Sequence, residues 1–82
     1  MNMAKPTSTL DVEVLLSEAV GGIRRLERLV EVYKEKGKPN ALVKPKGRLK
    51  PEDWNRLNKA VQRMGGQWKQ KEALWIIPLE RK

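Results

Sequence analysis

The chain contains no cysteine, no histidine and no phenylalanine, and the first two absences remove whole classes of function. Without cysteine there is no disulfide framework. Without either residue the usual zinc sets cannot be assembled, and neither can the common nucleophile–base pairs. Carboxylates do not fill the gap. Beyond Gly37 only Glu52, Asp53, Glu72 and Glu80 are acidic, two adjacent at a helix start and two isolated around a hairpin. No catalytic residue, metal site or cofactor is therefore expected, and a non-enzymatic protein is the expectation. Long apolar runs are also missing. Met1 to Thr9 is polar, and no segment approaches the roughly 20 apolar residues of a membrane span. The expectation is a soluble, cytoplasmic protein with no membrane partner. At 82 residues the chain is one small domain, and self-association is the remaining route to extra stability. Abundant Lys, Arg and Glu is compatible with a thermophilic source.

What is present is positive charge, unevenly placed. Residues 1–37 hold six basic and six acidic side chains, so the whole net charge of +8 falls in residues 38–82, with twelve basic and four acidic. A concentrated positive field attracts polyanions. A merely solubilising lysine surface accounts poorly for the segregation.

The pattern divides the chain into a flexible tail over 1–9, a long helix over 10–37 and a basic module over 38–82. Ser8 or Thr9 can cap the helix, with Asp11 and Glu13 in its first turn. Val12, Leu16, Ala19, Ile23, Leu26, Val30 and Tyr33 alternate at spacings of four and three, with Leu15 and Leu29 flanking. Such a stripe can pack on the chain's own sheet, or zip to a second copy as a homodimer or homotetramer. Three heptads in phase favour the zipper. Gly21-Gly22 interrupts the stripe, either by breaking the helix into a hairpin or as a mild bend. The unshifted phase favours a continuous helix.

Downstream, Asn40 to Leu49 reads as a strand that Pro45 confines to an edge or an end. Pro51 opens a helix with Trp54, Leu57, Val61 and Met64 on one face, and Gly65-Gly66 ends it. Gln67–Lys69 and Ala73–Leu79 form a hairpin around Gln70-Lys71-Glu72. The expected fold is α+β, a long N-terminal helix followed by β-α-β-β with a three-stranded, mainly antiparallel sheet.

Basic residues interleaved with tryptophan suit single-stranded DNA or RNA, whose phosphates follow a positive groove while bases stack on aromatic faces. The candidate contacts are Lys44, Lys46, Arg48, Lys50, Arg63, Trp68, Lys69, Lys71 and Trp75. Trp54 falls on the helix's apolar face and reads as core. Trp68 and Trp75 are either a packed cross-strand pair or a stacking surface. The rival functions are a duplex-binding architectural protein and an adaptor that docks through the long helix.

The run Met64-Gly65-Gly66-Gln67-Trp68, followed by Leu74-Trp75-Ile76-Ile77-Pro78 after a short amphipathic helix, resembles the ThermoDBP family of archaeal single-stranded nucleic-acid-binding proteins over roughly the last 35 residues. The resemblance implies a basic, aromatic-lined cleft on a small sheet, with coiled-coil helices mediating self-association. It also implies ligand contacts at Trp68, Trp75, Lys69 and Lys71.

Overall fold

The computed structural model describes residues 5–80. Its elements run α1 (Thr9–Val20), α2 (Ile23–Leu29), β1 (Val30–Lys34), β2 (Asn40–Pro45), α3 (Pro51–Arg63), β3 (Gln67–Lys69) and β4 (Leu74–Pro78). The α+β class is as expected, but the sheet has four strands in the order β1-β2-β4-β3, every pair antiparallel. Both longer helices cover one face.

The long helix over 10–37 is not formed. Ser8 caps α1, its Oγ accepting the Asp11 N–H at 3.2 Å. The helix stops at Gly21 and Gly22, whose N–H groups both fold back on the Ser17 carbonyl at 2.9 and 2.7 Å. Gly21 has φ +94° and Gly22 φ +140°. Two successive residues at positive φ form a reversal that residues with a Cβ avoid, so the pair acts as a hinge rather than a tolerated defect. An added Cβ at Gly22 meets no atom within 4 Å. Gly22→Ala should therefore lose about 1–3 kcal/mol from backbone strain alone, read as a lowered urea midpoint with an unchanged m-value.

Val30–Lys34, which the heptad phase assigns to the helix, is a strand instead. Val-Glu-Val-Tyr-Lys also alternates with period two, and its β-branched and aromatic residues suit a strand. Pairing along β2, from Val30 opposite Pro45 to Lys34 opposite Ala41, satisfies the half of its backbone groups that point into the sheet and adds the fourth strand at the edge. Pro45 lies at the strand end, where its missing N–H costs no ladder bond.

The heptad seam is consumed inside the monomer. Val12, Leu16, Leu26 and Val30 are at most 3% exposed and pack with Val43, Leu57, Val61, Trp75 and Ile77 in a single core. They cannot also pair with a second copy. Ala19 is half-buried, and only Ile23 and Tyr33 of the seven remain exposed. Of the predicted flexible tail, residues 1–4 lie outside the described region. Pro6 is buried, and its carbonyl accepts the Glu80 N–H at 2.8 Å, tying the two ends of the described region together.

Candidate nucleic-acid interface

The antiparallel register brings the start of β1, the end of β2, the start of β4 and the end of β3 to one end of the sheet. The chain then turns through 46–50, where the Lys46 N–H donates to the Leu29 carbonyl at 2.9 Å and pins this loop beside α2. The result is a groove between α2 and the loop, lined by Arg24, Arg25, Arg28, Leu29, Arg48, Leu49, Lys50 and Asp53. Five cations face one carboxylate.

That carboxylate belongs to the wall rather than the opening. Asp53 sits in the first turn of α3 with its side chain 4% exposed, and accepts from Arg25 Nη2 at 3.2 and 3.3 Å. The pair ties α2 to the start of α3 and sets the groove's width. The carboxylate is also favoured by its place at the positive end of the helix dipole. Among the described residues, the other ion pair is the exposed Arg56–Glu52 contact at 3.9 Å. Arg24, Arg28, Arg48 and Lys50 are exposed and have no acidic partner among the described residues. Four such charges close together repel one another, and a bound polyanion relieves that repulsion.

Of the predicted contacts, Lys46, Arg48 and Lys50 share this loop, and Lys44 lies at the end of β2 on the sheet face away from the helices. Lys69 and Lys71 are at the same end of the sheet, at the close of β3 and in the turn after it. Arg63 is not brought to them. It occupies the last turn of α3, roughly 20 Å along the helix from Lys50.

Of the two readings of Trp68 and Trp75, the structure forms the packed cross-strand pair. Trp68 and Trp75 are directly opposed on β3 and β4 with ring centroids 4.8 Å apart, and Trp54 closes the cluster at 5.6 Å from each. Trp75 is 0% exposed, and its Nε1–H donates to Asn58 Oδ1 at 3.0 Å. It is a core residue, because the alternation of β4 turns it toward α3. Trp68 is half-buried against it on the same face. Trp75 therefore presents no ring face to a ligand, and Trp68 keeps part of its ring exposed.

Arg24, Arg25 and Arg28 were missed by the charge count because acids elsewhere on residues 1–37 cancel them numerically. Their local signal was Arg-Arg-x-x-Arg, one residue after the glycine pair. No cluster of three or more potential metal-ligating side chains occurs among the described residues, and no described helix is long and apolar enough to cross a membrane. Comparison with protein-family models, with curated proteins and with solved structures finds no match to this chain.

Proposed function

We propose that the chain binds single-stranded nucleic acid, DNA or RNA, without catalysing a reaction on it. The observation that carries this reading is the groove in which Arg24, Arg25, Arg28, Arg48 and Lys50 converge from two separate elements. Arginine suits the role, since its planar guanidinium forks onto phosphate oxygens and can also stack on a base. Lys44 and Lys46 extend the positive track along the end of β2. A single strand fits better than a duplex because α2 has seven residues and lies back against the domain, so it offers no projecting helix to enter a major groove. Any homodimer or homotetramer would use the exposed Leu10, Val14, Leu15 and Ile23 in place of the buried seam.

Salt titration tests the reading. With about five phosphates engaged, log affinity for a single strand should fall against log salt with a slope near −3.5. Reversing three groove charges together (Arg28→Glu, Arg48→Glu, Lys50→Glu) should flatten that slope by about 2 and weaken binding at low salt on the order of 100-fold or more. All three side chains are exposed, so the variant should keep its wild-type circular dichroism. Fluorescence anisotropy of a labelled oligonucleotide gives both quantities. An unaltered slope would remove the groove from the interface.

A further inference from the structure

The sheet face turned away from α1 and α3 has a composition that the groove does not explain. An antiparallel sheet with one solvated face normally alternates apolar inward and polar outward. The inward positions obey this, with Ala41, Val43, Trp75 and Ile77 all at 0% exposure. The outward positions of the two central strands include Leu42, Leu74, Ile76 and Pro78 beside the polar Asn40 and Lys44. Strand register places Tyr33, Leu42, Ile76 and Gln67 side by side across β1, β2, β4 and β3. At about 4.8 Å between strands, this row is roughly 14 Å wide. It begins at Tyr33, 41% exposed and the chain's single tyrosine.

The next row toward the cationic end holds Glu31, Lys44, Leu74 and Lys69. Lys44 and Lys69 thus flank Leu74 about 10 Å apart, and Lys71 joins the same shallow depression over Leu42, Leu74 and Ile76. Glu31, Glu35 and Glu72 mark the margins, with Glu35 Oε1 occupied by the Asn40 amide at 2.9 Å. An apolar strip ending in a tyrosine, bordered by Lys44, Lys69 and Lys71 and lying at the same end of the sheet as Lys46 and the arginine groove, has the two halves of a single-strand site. One half meets base faces and the other meets phosphates.

We infer that Tyr33 is the base-stacking residue of this protein, and that the strand leaves the arginine groove past Lys44 to lay its bases across Tyr33, Leu42 and Ile76. The inference rests on the nucleic-acid reading above and adds the position of the bases. A duplex, whose base faces are internally stacked, has no such use for the strip.

The test compares Tyr33→Leu, which keeps apolar bulk without a ring face, and Tyr33→Phe, which keeps the ring. Each is titrated against a fluorescein-labelled oligothymidylate of about 15 nucleotides, within the span that small sheet domains cover. Tyr33→Leu should weaken binding roughly 5- to 150-fold, the range expected for one lost stack, by the same factor at low and high salt. Tyr33→Phe should bind within about twofold of wild type. Irradiating a 5-iodouracil-substituted oligonucleotide bound to wild-type protein should attach it to Tyr33, mapped by peptide mass spectrometry. Wild-type binding that the groove triple variant abolishes, with Tyr33→Leu unaffected and the adduct elsewhere, overturns the inference and leaves the groove standing. No binding by wild-type protein at low salt, or displacement of the strand by equimolar duplex, overturns both.

Discussion

Trp75→Ala is expected to remove about 3–5 kcal/mol of folding stability, because Trp75 is the largest fully buried side chain among the described residues. The indole is fully buried between β4 and α3 and touches both other tryptophans, so truncation opens a cavity in the centre of the core. Small domains hold roughly 5–15 kcal/mol in total, and the variant should therefore sit close to unfolding at room temperature. Trp75→Phe separates volume from polarity. It keeps a ring in the site but loses the hydrogen bond to Asn58; because Asn58 is half-buried and can take a water, that loss should be about 1 kcal/mol, apart from any packing cost. Urea denaturation followed by circular dichroism distinguishes these outcomes. A stable Trp75→Ala with weakened nucleic-acid binding would instead assign the ring to a ligand surface.

The second large effect is expected at Gly66, and it differs in kind from its neighbour. A Cβ at Gly66 would lie 2.6 Å from the Ile76 carbonyl oxygen, 2.7 Å from Val61 Cγ1 and 2.8 Å from Ile77 Cγ1. Ile76 is in β4, which is hydrogen-bonded to a strand on each side, so its carbonyl cannot withdraw without disturbing two pairings. Gly66→Ala should cost about 3 kcal/mol, at the upper end for inserting one methyl into a packed site. A Cβ at Gly65 would make only ordinary van der Waals contacts, 3.9 Å from Lys5 Cε and Pro78 Cγ, but φ there is +82°. Gly65→Ala should therefore cost only about 1 kcal/mol, from the left-handed backbone. Equal losses at both positions would show that backbone conformation, not contact with β4, governs this turn. The close approach also explains why the chain needs two glycines there: one ends the helix, and the other lets β3 swing in beside β4.

The C-terminal half was legible because its signals are local. Pro51 and the two acids after it start α3, Leu57 and Val61 recur at helical spacing, and the glycine pair stops the helix. Trp68 and Trp75 could be matched across a hairpin from the turn between them. The N-terminal half was not, because its apolar positions fit two periods at once. Val12, Leu16, Leu26 and Val30 keep a heptad phase although a hinge and a change of secondary structure lie between them; each segment independently turns its apolar side to the same core. A one-dimensional pattern cannot distinguish a seam on one helix from four contacts delivered by a helix, a helical turn and a strand.

The candidate site divides in the same way. The cations of 44–50 were visible as a run, and their neighbours on α2 were hidden by a net count that treats charge as independent of direction. Folding α2 back at Gly21-Gly22 and anchoring Arg25 on Asp53 carries Arg24 and Arg28 to Arg48 and Lys50. The aromatic assignment reversed for a similar reason. Tryptophan buries more apolar area than tyrosine, and one residue of register decides which face receives it.

By itself the sequence determined composition-level and local properties: a strongly cationic chain without cysteine or histidine, an α3 with marked ends, a final hairpin and an α+β class. These follow from charge, backbone conformational preference and short-range periodicity, which act between neighbours in the chain. The tertiary structure decided that Val30–Lys34 is a strand, that the heptad residues serve one core, that Trp75 is interior and Tyr33 exterior, and that three arginines join the basic loop. Each of those depends on a contact between residues distant in sequence, such as Val30 with Pro45 or Arg25 with Asp53. Burial and backbone pairing across such contacts outweigh the few tenths of a kcal/mol per residue by which local propensity separates helix from strand.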